Sequence, residues 1–212
     1  MEYELRIENG FQPYLETMQE MERRVACVKD GAEKSLLWFL EHPALYTAGV
    51  GVKNHSFHSE IPLYTTTRGG KVTYHGPGQR VIYFVHKLPV SERDIRKYIY
   101  FLEEWLIVTL GCLGINGLRH KDGTGVWVNT ASGVEKIGAI GVRLQGWVVS
   151  HGISLNIAPN LNHYKDIIPC GIEGRSVTSL KELGVRASME EVDQILIDSF
   201  DSTYRKVMEV CT

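Results

Sequence analysis

Two stretches of this chain, 136–144 and 147–157, have the composition of β-strands and are separated only by Gln145-Gly146, a favourable sequence for a tight turn. The stretch 126–129 precedes them and also has strand character. Strands joined by such short turns pair as antiparallel neighbours. The sequence therefore predicts an antiparallel sheet here, which any fold of this chain must accommodate.

The remaining segments predict helices and strands that do not alternate regularly. The predicted helices are 13–28, 91–113 and 188–210, and the further strands are 35–40, 64–68 and 81–88. Ser91 is the expected N-cap of the second helix, and a capping box from Ser188 to Glu191 begins the third. Irregular order favours the α+β class, a mostly antiparallel sheet with flanking helices. We expect one domain, 1–212.

Charge and cysteine content exclude several protein classes. The formal net charge of −2 gives no basis for a nucleic-acid binder, and no apolar run is long enough to cross a membrane. The N-terminus is acidic, unlike a signal or transit peptide. Zinc and redox sites need closely spaced cysteines, so we expect reduced thiols in a cytoplasmic protein. The cysteines, all far apart, are Cys27, Cys112, Cys170 and Cys211.

A glycine-rich segment, 68–79, predicts a loop that lines a ligand site. Glycines allow the backbone to approach a ligand, and polar side chains of several kinds lie between them. A hairpin with incidental polar residues is the alternative. The segment lacks the Gly-Lys-Ser/Thr ending of a Walker loop. The candidate binding residues here are Arg68, Gly69, Gly70, Lys71, Val72, Thr73, Tyr74 and His75.

Two of the predicted strands carry small residues and isolated polar side chains. Lys136 begins one strand, and small residues after it leave room for a slender ligand such as an alkyl chain. A lysine taken alone is usually solvated, and His151 taken alone is usually structural. The candidate binding residues on these strands are Ala139, Ile140, Gly141, Gly152, Ile153 and Ser154.

Cys170 lies between Pro169 and Gly171. A cysteine is usually buried and inert, but a Pro-Cys-Gly context is typical of a loop, where reactive thiols are exposed. Cys170 is therefore the candidate nucleophile.

Together these segments resemble the octanoyltransferases of lipoate biosynthesis, the lipoyl(octanoyl) transferases. The likeness extends from about Glu41 to Ser179. Within this range it includes the stretches His42-Pro43 and Tyr46-Thr47, Lys136-Ile137 through Gly141, His151-Gly152 through Asn156, and Ile168-Pro169-Cys170-Gly171. Arg80, His86 and Ser154 depart from the family's usual residues and put details of the pocket wall in doubt. The first family motif is present as Arg68-Gly69-Gly70, Thr73, Tyr74, His75, Gly78, Gln79 and Tyr83.

The resemblance implies a fold like that of biotin and lipoate protein ligases, with no cofactor and no metal. It implies octanoyl-acyl carrier protein as donor. The implied acceptor is a lysine of the lipoyl domains of 2-oxoacid dehydrogenases or of glycine-cleavage H protein. Cys170 would carry the acyl group as a thioester. Lys136 would lower the pKa of the Cys170 thiol and then act as general base.

Three other hypotheses remain open. An ATP-dependent lipoate or biotin ligase would share the fold but would need no nucleophilic cysteine. A non-catalytic module would bind a carrier protein or lipoyl domain without retaining the Cys170–Lys136 pair. A metal site built from Cys170 with His75, His151 or His163 would lack any familiar zinc spacing.

Overall fold

A computed structural model describes residues 2–52, 59–121, 123–167 and 176–209. The strands are β1 (Tyr3–Phe11), β2 (Ser35–Glu41), β3 (Leu45–Ala48), β4 (Leu63–Thr65), β5 (Val72–His75), β6 (Gln79–Lys87), β7 (Gly117–His120), β8 (Gly123–Thr130), β9 (Gly133–Gln145) and β10 (Val148–Asn156). The helices are α1 (Tyr14–Asp30), α2 (Ile95–Cys112) and α3 (Met189–Met208).

A seven-stranded sheet in the order β1-β2-β6-β10-β9-β8-β7 forms the centre of the molecule. Its neighbours are antiparallel except β1 and β2, which are parallel. The predicted hairpin is confirmed, with its turn one residue later than expected. Gln145 pairs with Val148, and the two turn residues Gly146 and Trp147 both have positive φ, 59° and 63°. This matches the left-handed conformation that a two-residue hairpin loop requires.

Helices cover both faces of this sheet, as the α+β prediction requires. On one face α2 and α3 pack over alternate side chains of β2, β6 and β10, and on the other face α1 packs on the intervening side chains. The first core includes Phe39, Phe84, Phe101, Trp105, Leu106, Ile153 and Phe200, and the second includes Met21, Val28, Leu36, Trp38, Val81 and Tyr83. None of the described helices has the length and apolar character to cross a membrane.

A three-stranded sheet, β4-β3-β5, lies on the α1 side. The ring of Tyr14 of α1 packs against that of Tyr64 of β4, and the N–H of Gly69 donates to the Val142 carbonyl of β9 at 3.0 Å. The chain passes from β5 to β6 through a tight turn at Gly78, where φ is 83° and a Cβ would lie 2.5 Å from the Ala158 carbonyl oxygen. The small sheet is therefore held above the middle of the large one.

Several predicted boundaries need correction. β8 begins at Gly123 and not at 126, β9 begins at Gly133 and not at Lys136, and β4 ends at Thr65 and not at Arg68. Ser91 lies in a 3-10 turn (Val90–Glu92), and Asp94 is the N-cap of α2, its carboxylate accepting from the backbone N–H groups of Arg96 and Lys97. The edge strand β1 was not predicted, and neither were β3, β5 and β7. The Ser188–Glu191 capping box of α3 is confirmed.

Arg80 and His86 lie on the helical face and not on a pocket wall. Arg80 makes two hydrogen bonds, of 2.8 and 2.6 Å, to the buried Asp193 carboxylate of α3. His86 packs between the rings of Tyr98 and Tyr204. Through these contacts the two residues, which both differ from the family's usual ones, attach α2 and α3 to the sheet.

Candidate active site

A cavity of about 350 Å³ lies between the two sheets. Its volume is in the range of small-ligand pockets. Every predicted binding residue lines it except Gly69 and Tyr74: Arg68, Gly70, Lys71, Val72, Thr73, His75, Ala139, Ile140, Gly141, Gly152, Ile153 and Ser154. The structure thus brings together three segments that are distant in sequence.

The two exceptions hold the loop in place. Gly69 is tied to β9 through its N–H, and its carbonyl accepts from Arg68 Nη1 at 2.9 Å. The buried Tyr74 ring packs against Tyr46 and Tyr164, outside the cavity lining.

Arg68 uses its buried guanidinium mainly to shape the glycine-rich loop. It donates to the Thr47 carbonyl and hydroxyl, both at 2.7 Å, and to the Lys71 carbonyl at 2.9 Å. Backbone carbonyls that would otherwise be unpaired inside the protein are thereby satisfied. The same positive charge contributes to lowering the pKa of His75 and His151.

His75 presents a proton-free nitrogen to the cavity. Its Nδ1 lies 2.7 Å from Gln79 Oε1, and the Gln79 amide nitrogen donates to Asn156 Oδ1 and to the Tyr164 hydroxyl. Because Gln79 offers His75 an acceptor, Nδ1 carries the proton and Nε2 is an acceptor. Burial, with the charges of His42 and Arg68, lowers the pKa of His75 to about 3. At neutral pH His75 is therefore a hydrogen-bond acceptor and a weak base.

His151 turns toward the cavity through an unusual backbone conformation. Its φ is 59°, a left-handed value that is uncommon for any residue except glycine. The conformation interrupts the strand alternation, so His151 reaches the cavity although its neighbours Val149 and Ile153 pack in the helical core. Burial, followed by the Arg68 and Arg143 charges, lowers the pKa of His151 to about 4. Strain of this kind is typical of functional sites.

Lys136 is buried, with 4% of its surface exposed, and lines the cavity. Its Nζ donates to the Thr124 carbonyl at 2.6 Å and lies 5.1 Å from the centre of the Trp127 ring. The ammonium is thus buried and bound by a carbonyl and an aromatic face, whereas a lysine considered alone is expected to be solvated. Lys136 is the cation best placed for chemistry in the described part of this cavity.

Comparison with known proteins shows which family this chain belongs to. Residues 13–201 match the model of the lipoyl protein ligase A/B catalytic domain. An octanoyltransferase of Zymomonas mobilis subsp. mobilis is 43% identical over 93% of this chain and 92% of its own length. One from Ehrlichia canis is 44% identical over 95% of both chains. The chain belongs to the octanoyltransferase family. The family prediction is thereby confirmed.

Solved structures confirm the fold expected for an octanoyltransferase. A structure of the bipartite lipoate protein ligase system of Thermoplasma acidophilum gives a TM-score of 0.76 at 17% identity, covering 97% of this chain and 84% of that chain. A lipoate-protein ligase A bound with ATP gives 0.73 at 17% identity, covering 95% of this chain and 86% of that chain. The predicted lipoate-ligase-like α+β fold is correct.

Cys170, the predicted nucleophile of this octanoyltransferase family member, lies outside the described residues. The described chain on either side of it borders the cavity, since Tyr164 and Val177 both belong to the lining. The backbone of Lys136 pairs with the chain at 176–178. Its N–H donates to the Ser176 carbonyl at 3.0 Å, and its carbonyl accepts from the Thr178 N–H at 2.9 Å. The chain at 176–178 therefore lies beside Lys136.

Several residues that line the cavity or support its lining were not predicted from the sequence. Tyr14 and Thr124 line the cavity although no motif indicated them. Gln79 and Asn156 belong to quoted motifs, which were a usable signal, but their function as partners of His75 and Tyr164 emerges only from the network. In the described residues no group of three or more His, Cys, Asp or Glu is arranged to hold a metal ion.

Acid should unfold this octanoyltransferase family member, because its site histidines are held neutral. The pKa of His75 is about 3 and that of His151 about 4, whereas an unfolded histidine titrates near 6.5. The unfolded chain therefore binds protons first as pH falls. The contribution of these histidines to the free energy of unfolding is fully present above pH 6.5. It decreases below that pH by about 1.4 kcal/mol per pH unit for each histidine, until the pKa of that histidine in the folded protein is reached.

Urea unfolding at a series of pH values tests this expectation. The free energy of unfolding should be flat from pH 7 to 8 and should fall steeply from pH 6.5 to 5, with an added contribution from the similarly buried His42 and His86. A free energy of unfolding that stays constant down to pH 5 would contradict the conclusion that these histidines are neutral in the folded protein.

Proposed function

We propose that this protein transfers an octanoyl group from octanoyl-acyl carrier protein to a lysine of a lipoyl domain, with Cys170 as the thioester-forming nucleophile. The acceptors would be lipoyl domains of 2-oxoacid dehydrogenases and the glycine-cleavage H protein. The observation that carries the proposal is the buried Lys136 ammonium in the cavity, bound through its backbone to the chain that follows the Cys170 segment. The octanoyltransferases among its relatives support the acyl group named.

The described residues on both sides of the Cys170 segment support the proposed dyad. Tyr164, which precedes the segment, and Val177, which follows it, both line the cavity together with Lys136. Ile167 packs in the same cluster as Tyr164.

The cavity dimensions suit a medium-length acyl chain. β9 runs along the cavity from Lys136 to Gly141, about 17 Å at the usual strand rise. An extended chain advances about 3.6 Å for every three bonds, so the carbon–carbon bonds of an octanoyl group span about 8 Å. Ala139, Ile140 and Ile153 supply apolar wall along this length. The acyl chain can therefore lie along β9 with its carbonyl at the Lys136 end.

In the first step the Cys170 thiolate attacks the carbonyl carbon of the donor thioester. The ammonium of Lys136 favours the thiolate form, since an opposite charge within about 4–6 Å stabilises it. A new carbon–sulfur bond forms, the carrier's carbon–sulfur bond breaks, and the leaving carrier thiolate takes a proton from Lys136. One thioester replaces another, so the acyl group stays activated.

In the second step the acceptor lysine attacks the Cys170 thioester. Lys136, now neutral, accepts the proton that the attacking amine loses. The amide bond forms, the carbon–sulfur bond to Cys170 breaks, and the thiolate and the ammonium are restored together. A cytoplasmic location remains part of this proposal, and the free thiols Cys27 and Cys112 are compatible with it.

Intact mass spectrometry tests the proposal. Mixed with octanoyl-acyl carrier protein, the protein should gain one octanoyl group, and Cys170→Ala should gain none and transfer none. Cys112→Ala, which removes an exposed thiol, is the matched control and should behave like the wild type. Normal transfer by Cys170→Ala would disprove the thioester mechanism. Transfer from free octanoate that needs ATP and magnesium would favour the ligase alternative, and binding without transfer would favour the non-catalytic module.

A further inference from the structure

The peptide group between Thr124 and Gly125 is bound at both of its polar atoms. Its carbonyl oxygen accepts from Lys136 Nζ at 2.6 Å, and its N–H donates to Glu103 Oε1 at 3.0 Å. No peptide bond in the described chain is cis, and in a trans peptide the C=O and N–H point in opposite directions. Glu103 therefore holds this peptide plane from one side while Lys136 binds it from the other.

Glu103 is itself fixed in position. It belongs to α2, its side chain is only 12% exposed, and its second oxygen accepts from Arg119 Nε at 3.1 Å. One carboxylate oxygen is thus committed to Arg119 and the other to the Gly125 N–H. A helix on the far side of the sheet is linked in this way to the cavity lysine.

Gly125 is the residue that makes this arrangement possible. Its φ is 126°, a value that L-residues with side chains rarely adopt. A Cβ at this position would lie 2.5 Å from Lys136 Cε and 2.9 Å from Lys136 Nζ. The space beside the Lys136 side chain therefore depends on glycine, and the orientation of the peptide depends on Glu103.

We propose that Glu103 is a positioning residue for Lys136, acting through the Thr124–Gly125 peptide. A carboxylate that accepts from the N–H polarises the peptide, so the carbonyl becomes a stronger acceptor for the Lys136 ammonium. The ammonium is thereby held at one point of the cavity wall instead of sampling several rotamers. This inference rests on the proposed function, in which that ammonium stabilises the Cys170 thiolate.

Three variants separate positioning from a general effect on the fold. Glu103→Ala removes the acceptor, whereas Glu103→Gln retains a carbonyl oxygen for the Gly125 N–H. Glu104→Ala is the matched control, since Glu104 is the next residue of α2 and also pairs with Arg119, at 2.8 Å. In the described chain its other partner is Lys206 and not the peptide after Thr124. Urea unfolding of all three shows whether each folds.

Two readouts are followed for each variant. The first is the pH dependence of Cys170 alkylation, measured by peptide mass spectrometry, with the rate of acyl-enzyme formation. The second is the ¹³C resonance of the Lys136 ε-methylene, whose ammonium lies 5.1 Å from the Trp127 ring centre. This resonance reports the lysine position whether or not Cys170 is a nucleophile.

Glu103→Ala should form the acyl-enzyme about tenfold more slowly, with the alkylation curve moved to higher pH and the Lys136 resonance shifted. Glu103→Gln should recover most of the rate, and Glu104→Ala should match the wild type in both readouts. Equal behaviour of Glu103→Ala and Glu104→Ala, or no recovery in Glu103→Gln, would overturn the inference. A wild type that forms no acyl-enzyme would instead refute the proposed function, while a shifted resonance would still support the positioning by Glu103.

Discussion

Lys136→Met is expected to lower the rate of acyl transfer by a factor of roughly 10³, since one general acid–base group typically contributes 10²–10⁴. The methionine retains an unbranched chain in the buried site. In the proposed mechanism it removes the charge that stabilises a thiolate in the first step and the amine that accepts a proton in the second. It also leaves the Thr124 carbonyl without its 2.6 Å donor, which costs about 1–3 kcal/mol of stability. The loss should therefore appear in both half-reactions.

Single-turnover measurements separate the two steps. The rate of acyl-enzyme formation and the rate of transfer to a lipoyl domain are measured independently by mass spectrometry. Lys97→Met is the matched control, because Lys97 also donates its ammonium to a backbone carbonyl, that of Met208 at 3.0 Å, but lies on α2 outside the cavity lining. If the two variants had equal rates, Lys136 would have no special part in the reaction.

Gly152→Ala is expected to destabilise the protein by about 5 kcal/mol or more, the range reserved for severe core defects. A Cβ on residue 152 would lie 2.0 Å from the Ile82 carbonyl oxygen and 2.9 Å from the Phe84 ring. Neither group can move away, because β6 is hydrogen-bonded to β10 on one side and to β2 on the other. The strand pairing at the cavity floor must shift, and the left-handed His151 beside it would shift as well.

The same substitution elsewhere provides the control. Gly111 lies in α2, is exposed, and has nothing within 4 Å of an added Cβ. Gly111→Ala should stabilise the protein by about 0.5–1 kcal/mol, because alanine is the better helix former. Urea unfolding of both variants measures the difference. A Gly152→Ala protein within 1 kcal/mol of the wild type would show that the sheet can adapt there.

Local patterns predicted the larger elements of the fold well. The apolar period of α1, α2 and α3 and the hairpin of β9 and β10 all depend on residues close in sequence. The pattern failed for β1, whose apolar residues Leu5 and Ile7 alternate along an edge strand and remain substantially exposed. Its pairing with β2, and that among the short strands β3, β4 and β5, depends on partners far along the chain.

The segments that carry the chemistry were determined by the sequence itself. The glycine-rich 68–75, the stretch of β9 from Lys136 and the pair His151-Gly152 were identified from residue types and spacing, and the structure places them around one cavity. Glycines and polar residues within predicted strands can be recognised from the local sequence, because each affects the conformation or environment of its own stretch of backbone. For the same reason Gly152, a glycine inside a predicted strand, indicated the unusual backbone at 151–152.

Only the tertiary structure decided how these groups are oriented. Gln79 sets the proton position on His75, and Glu103 of α2 holds the peptide that binds Lys136, although neither partner adjoins the residue it controls in sequence. Hydrogen bonds of this kind depend on distances of a few ångströms between separately packed elements, and no local pattern encodes such distances. The sequence indicated most of the segments that line the cavity, and packing determined what each side chain can donate or accept there.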